Sequence, residues 1–180
     1  MTEVKTAEKY ERAASEAQPL RVCFVCTGNT CRSPMAAAVA NHLAAKELES
    51  YPASIRAAMM PRLVAQSRGL YPNEGEPIAQ NAVAALEAAE ILPVADADYR
   101  VHTAKGLAPE DGNRFDLLVA MSGTHAMELM MRFPGAAKKI VCMPHGVFDP
   151  YGGDIELYRA CLVEIEAGVR ALLFETEPHA

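Results

Sequence analysis

The sequence predicts an α/β fold, a single domain with a doubly wound parallel sheet, on three observations. Short apolar runs suited to buried parallel strands alternate with segments of helical periodicity. Hydrophobic residues make up 51% of the 180, with alanine prominent and aromatics only 6%, which favours helices packed on a small sheet. One apolar run passes through a polar, glycine-containing turn straight into a helical pattern, as strand–loop–helix units of such folds do. The chain is long enough for one full core. Ligands of these folds bind at the carboxyl ends of the strands.

The elements follow in order. Residues 1–19 are polar with mixed charge and weak periodicity, and are expected to be disordered or a surface helix. Residues 20–25, Leu-Arg-Val-Cys-Phe-Val, read as the first strand. Met35, Ala38, Val39, His42 and Leu43 recur at helical spacing. Residues 62–66 read as a second strand and 71–77 as a loop. Ile78, Ala82, Val83, Leu86 and Ala89 mark the next helix. Residues 116–121 and 139–143 are two further buried strands. The helix between them begins near Thr124, and its Met127, Met130 and Met131 are read as core filling. Tyr158, Cys161, Leu162, Ile165, Val169, Leu172 and Leu173 trace one face of a last helix, with Asp154 as its N-cap.

The chemistry concentrates in Cys26-Thr27-Gly28-Asn29-Thr30-Cys31-Arg32-Ser33-Pro34. Cys26 sits at a strand end, below the start of a helix. Backbone N–H groups of that turn converge into a nest for an anion, and the same field stabilises a thiolate. Arg32 adds a planar fork of donors that matches phosphate oxygens. A nucleophile and an oxyanion cradle in one loop point to phosphoryl transfer through cysteine. Taken singly, Cys26 is equally a small buried hydrophobe and Gly28-Asn29 a plain turn. Asp149, before Pro150 and ahead of Gly152-Gly153, has the composition of a turn as well as of a mobile acid.

The loop resembles the Cys-x5-Arg-Ser signature of the low-molecular-weight protein tyrosine phosphatases. Phe148-Asp149-Pro150-Tyr151-Gly152-Gly153 resembles that family's Asp-Pro loop. Residues 66–69, 102–104 and 115–121 fall between them in the family's order, and the likeness covers roughly residues 20–175. The resemblance implies four parallel strands in the order 2-1-3-4 with helices on both faces and the phosphate-binding loop after strand 1. It implies a phosphatase domain over 20–180, preceded by an extension, 1–19, without a family counterpart. Catalysis falls to Cys26 as nucleophile, Arg32, and Asp149 as general acid and then base. Thr27, Gly28, Asn29, Thr30, Cys31 and Arg32 bind phosphate. Asn29, Ser33, Ser67 and His102 form the supporting network, Asn29 bending the loop in a left-handed conformation. Cys31 is the residue that pairs with the nucleophile under oxidation in the family, or simply a small buried side chain.

Thr30 bears on the substrate. Many family members carry a bulky aliphatic residue there, whereas the bacterial protein-arginine phosphatases share the string Cys-Thr-Gly-Asn-Thr-Cys-Arg-Ser-Pro and a stretch like Met121 to His125. A short polar Thr30 leaves room for a guanidinium, while Tyr151 suits a phosphotyrosine ring. Thr30, Leu70, Tyr71 and Tyr151 are the expected substrate walls. The reading leans to phosphoarginine over phosphotyrosine in a protein substrate. Arg68 after the serine, and Ser122 to His125 after the third strand, depart from many members. Residues 50–62 add roughly ten residues before the second strand, as a longer first helix or an inserted loop that is open to bordering the active site.

Other classes weigh less. A net charge of −6 argues against a nucleic-acid surface. No run is long enough to span a bilayer and the polar N-terminus is no signal peptide. Five cysteines in an odd count fit a reducing compartment, hence the cytoplasm. Cys23/Cys26 and Cys142/His145 have zinc-like spacing, but Cys23 and Cys26 in a strand face opposite ways. No metal or cofactor is expected. Thiol-dependent arsenate reduction needs resolving cysteines, which that family's reductases carry after the third strand; Met121 to Met131 contains none.

Overall fold

The computed structural model describes residues 18–56 and 58–175. The expectations for 1–17 and for the last five residues lie outside the described residues. Strand β1, Leu20–Cys26, is buried from Val22 onward. Its alternation sends Val22, Phe24 and Cys26 into one core and Cys23 and Val25 into another. Both faces are therefore covered, which is why the run is almost wholly apolar. The Cys23/Cys26 pair is split between the two faces and cannot chelate one ion.

Helix α1, Arg32–Glu49, is buried on all sides from Arg32 to Ala44. Small alanines allow that close approach. A short α2, Ala53–Arg56, leads into β2, Leu63–Gly69. Then come α3, Gln80–Ala88, a 3-10 turn over Tyr99–Val101, α4, Asp111–Arg114, and β3, Leu117–Ala120. Helix α5, Gly123–Arg132, a 3-10 segment over Pro134–Lys139, β4, Ile140–Cys142, and α6, Ile155–Leu173, complete the chain. The strands lie in the order β2-β1-β3-β4, and every pair is parallel. On one face Met35 and Val39 of α1 meet Ile165 and Val169 of α6. On the other, Leu129 of α5 packs with Leu118, Phe115 and Ile140.

β2 runs three residues past its expected end at residue 66. The apolar pattern stops there, but pairing with β1 continues to Cys26↔Gly69 and carries Ser67 toward the carboxyl end of the sheet, where Cys26 lies. Asn41 covers part of this edge strand: its amide donates to the carbonyl of Ala65 at 2.9 Å and its Oδ1 accepts the Ala65 N–H at 2.8 Å. The Asp154 side chain caps α6 by accepting the Leu157 N–H.

One open placement is decided and one expectation is corrected. Residues 50–56 and 58–62 lie away from Cys26. They enter β2 at its amino end, where the Leu20 N–H bonds the Arg62 carbonyl, and line a cavity with Leu117 and Leu172 at the opposite end of the sheet. The methionines of α5 do not fill the core. Met127, Met130 and Met131 are 67%, 45% and 73% exposed. The helix packs through one face only, against β3, β4 and the 3-10 segment, so it buries a narrow stripe through His125 and Leu129.

Candidate active site

Cys26 ends β1, and the chain turns over Thr27 to Cys31 before α1 starts at Arg32. The turn is possible because Asn29 takes φ 59°, a left-handed conformation that asparagine tolerates. Pro34 lies in the first helical turn, where its missing N–H would have had no partner in the helix. Gly69 lets β2 press on the loop. A Cβ there would meet the Thr27 carbonyl oxygen at 2.9 Å. Leu70 and Tyr71 extend this contact, their N–H groups donating to the carbonyls of Cys26 and Thr27, both at 2.9 Å.

The Cys26 sulfur is held from two sides. It accepts the Asn29 backbone N–H at 3.3 Å and lies 2.9 Å from the Ser33 hydroxyl. The Asn29 amide donates to Ser33 Oγ and Ser67 Oγ, each at 2.9 Å, while its Oδ1 accepts the Lys105 N–H. His102 Nε2 contacts the Asn29 carbonyl at 2.9 Å. Burial holds the pKa of His102 down, so the ring is neutral near pH 7 and this nitrogen is the donor. The structure thus brings Asn29, Ser33, Ser67 and His102 together around the sulfur.

Arg32 lies beneath the loop. It donates to Asp149 Oδ2 at 2.7 Å and to the Val147 carbonyl at 3.4 Å. The guanidinium is buried while the carboxylate is half exposed. Asp149 also accepts the Tyr151 N–H at 3.2 Å, and the Gly153 N–H closes the turn onto the Pro150 carbonyl. Cys26, Arg32 and Asp149, 117 residues apart at the extremes of the ion pair, share one cleft of about 280 Å³. Cys26 to Arg32 form its floor; Tyr71, Asn73, Glu76, Asp149 and Tyr151 form its rim. The larger cavities do not contain Cys26.

Thr30 lines this cleft but is only 5% exposed, its hydroxyl 3.6 Å from the Cys31 sulfur. Cys31 is buried beneath the loop, 3.1 Å from the Tyr158 hydroxyl, and burial pushes its thiol pKa up. Tyr71 and Tyr151 stand at the rim. The Tyr71 ring carries Arg132 over its face at 4.9 Å, and its hydroxyl bonds Glu128 of α5. Leu70, expected as a wall, does not line this cleft. It follows the strand end on the far side of the sheet, 7% exposed, packed into the core with Leu118 and Leu129.

Sequence reasoning missed a second brace. His125 is buried, with Nε2 2.9 Å from Thr27 Oγ1 and Nδ1 2.7 Å from Ser122 Oγ. Burial first, and the Arg32 cation second, push its pKa down. Ser122 also caps α5, so Ser-x-x-His at a helix start was the available signal. Asn73 and Glu76 left no signal at all. Cys142 and Cys161 lie away from the cleft, on β4 and in the α6 core. Among the described residues no group of three or more metal-ligating side chains is gathered, and no helix is long and apolar enough to cross a membrane.

A cysteine and an arginine share one cleft in the loop at the carboxyl end of the parallel sheet. The chain belongs to the low molecular weight phosphotyrosine protein phosphatase family, whose model matches residues 21–178. A protein-arginine-phosphatase of Geobacillus stearothermophilus is 32% identical over 155 residues, covering 82% of this chain and 90% of the relative. A low molecular weight protein-tyrosine-phosphatase of Streptomyces coelicolor is 32% identical over 170 residues, covering 85% and 91%. The solved structure of a low molecular weight protein tyrosine phosphatase from T. tengcongensis superposes with a TM-score of 0.72 at 32% identity, covering 87% of this chain and 99% of that one. The chain is therefore a protein phosphatase acting on phosphorylated protein.

Proposed function

We propose that this phosphatase works through a phosphocysteine on Cys26 and that its substrate is protein phosphoarginine. The observation that carries the mechanism is the shared cleft, with the Cys26 sulfur at its base and Asp149 ion-paired to Arg32 at its side. The Cys26 thiolate attacks phosphorus and forms the S–P bond. The bond to the leaving group breaks, its electrons go to the leaving nitrogen, and Asp149 supplies the proton. Backbone N–H groups from Thr27 to Arg32, with the guanidinium donors that Asp149 and Val147 leave free, hold the three equatorial oxygens. The Asp149 carboxylate then takes a proton from water. The O–P bond forms, the S–P bond breaks, and thiolate and phosphate are regenerated. No metal or cofactor enters these steps.

Asn29, Ser33, Ser67 and His102 keep the sulfur and loop in place, by the contacts described above. Cys31, in the same loop, is buried against Tyr158 of α6. The domain is read as 20–180 and 1–19 as an extension to it. The free cysteines support a cytoplasmic setting.

Two observations favour phosphoarginine over phosphotyrosine. Thr30 gives the cleft a short polar side chain where an aliphatic one would grip a phenyl ring, and relatives named protein-arginine-phosphatase match most of the chain. Tyr71 and Tyr151 at the rim support phosphotyrosine as the second reading. The test is turnover of matched phosphoarginine and phosphotyrosine peptides by one preparation, with Cys26→Ser alongside. Wild type should prefer phosphoarginine, and Cys26→Ser should bind vanadate without turnover. Preference for phosphotyrosine reverses the substrate, and substantial hydrolysis by Cys26→Ser removes the phosphocysteine.

A further inference from the structure

We propose that Glu76 is a specificity-determining residue: its carboxylate at the cleft rim pairs with the cationic guanidinium of the substrate. The proposal rests on the phosphoarginine reading and deepens it. Glu76 lines the cleft that holds Cys26 and Asp149. Its backbone is fixed, the N–H donating to the Asn73 carbonyl at 3.1 Å and the carbonyl accepting the Ala104 N–H at 2.7 Å. The next residue, Pro77, bridges to Thr103. The carboxylate is therefore presented from an anchored segment.

Its charge is uncommitted. None of the ion pairs among the described residues uses Glu76. Among the described residues Arg32 is the one basic side chain lining the cleft, and it is buried in the floor against Asp149. The floor thus takes an anion while the rim offers carboxylates and no free cation. A phosphotyrosine presents a neutral ring to that rim, where Glu76 only repels the approaching dianion. A phosphoarginine carries a guanidinium next to its phosphoryl group. As the phosphoryl group moves to sulfur, the P–N electron pair stays on nitrogen and Asp149 supplies its proton. The guanidinium loses its internal counter-charge at that moment, and Glu76 replaces it. Such a contact strengthens toward the transition state and raises kcat as well as affinity.

The test compares wild type, Glu76→Gln and Glu76→Lys on a phosphoarginine peptide, a phosphotyrosine peptide of the same sequence, and p-nitrophenyl phosphate. Loss of one partly exposed charge pair predicts a fall of about tenfold in kcat/KM for phosphoarginine with Glu76→Gln, and a larger fall with Glu76→Lys. The two aryl substrates should stay unchanged or improve, which also shows that the variants are folded. Raising the salt should narrow the gap between wild type and Glu76→Gln on phosphoarginine. If wild type cleaves phosphoarginine and Glu76→Gln leaves it unaffected, or lowers all substrates alike, Glu76 has no such role and the substrate reading stands. If wild type does not cleave phosphoarginine, the substrate reading falls and this proposal with it.

Discussion

Asp149 keeps one oxygen on Arg32 and the other on the Tyr151 N–H, which leaves it half exposed at the cleft. Asp149→Ala should slow substrates with poor leaving groups by about 10²–10⁴-fold and activated aryl phosphates far less. The same change frees Arg32, so inorganic phosphate should inhibit the variant more strongly than wild type. Equal losses on both substrate types, with unchanged phosphate inhibition, would leave Asp149 a turn residue. Thr30 is the other deciding side chain. Thr30→Ile adds apolar surface beside the phosphorylated group and removes a hydroxyl. An added methylene-sized contact is worth roughly 1 kcal/mol and an unpaired polar partner about 1–3 kcal/mol. The phosphoarginine-to-phosphotyrosine ratio of kcat/KM should drop by about tenfold or more. An unchanged ratio would move specificity away from Thr30.

Two elements clamp the loop. The end of β2 supplies Ser67 and the close approach at Gly69, and the start of α5 supplies His125. Gly69→Ala places a methyl group 2.9 Å from the Thr27 carbonyl oxygen, against backbone that cannot rotate away. Overpacking of this kind costs roughly 1–3 kcal/mol. Tm should fall by several degrees and kcat should fall with it, because the displaced residue follows Cys26, the proposed nucleophile. A variant with wild-type Tm and kcat would show that the loop yields freely. Element by element, the sequence located this machinery unevenly. The Cys26 loop was legible because strand, turn and helix signals adjoin in one stretch. His125 was not, because its partner Thr27 is 98 residues away and only the sheet order joins β1 to β3.

At the scale of the molecule, two buried histidines, His42 and His125, and the half-buried His102 set an acid limit. Burial pushes the pKa values of His42, His102 and His125 below the ordinary imidazole value. The folded chain then binds fewer protons than the unfolded chain below about pH 6.5, so stability is full above that and falls as the pH drops toward the folded values. The depressed carboxylates Asp98, Asp116 and Glu128 act in the same direction, but only at lower pH. Tm should therefore fall between about pH 7.5 and about pH 5.5. A flat or rising Tm over that window contradicts neutral buried rings. His125→Gln should remove part of the slope while keeping a hydrogen bond to Thr27.

The sequence by itself determined the doubly wound class, the Cys26 loop, the cap at Asp154 and the core face of α6, because each follows from periodicity or adjacency in a single stretch. The family's motifs supplied the strand order. Tertiary structure alone decided what depends on neighbours distant in sequence. Pairing with β1 carried β2 past its apolar pattern to Gly69. The side of the sheet taken by residue 70 put Leu70 in the core, and packing through one face alone left the α5 methionines outside. Chain connectivity decided the rest: the stretch before β2 was consigned to the opposite end of the sheet, and Glu76 was brought to the rim of the cleft that Asp149 lines. A local pattern records which residues are apolar and how often they recur; it holds no record of which surface will meet them.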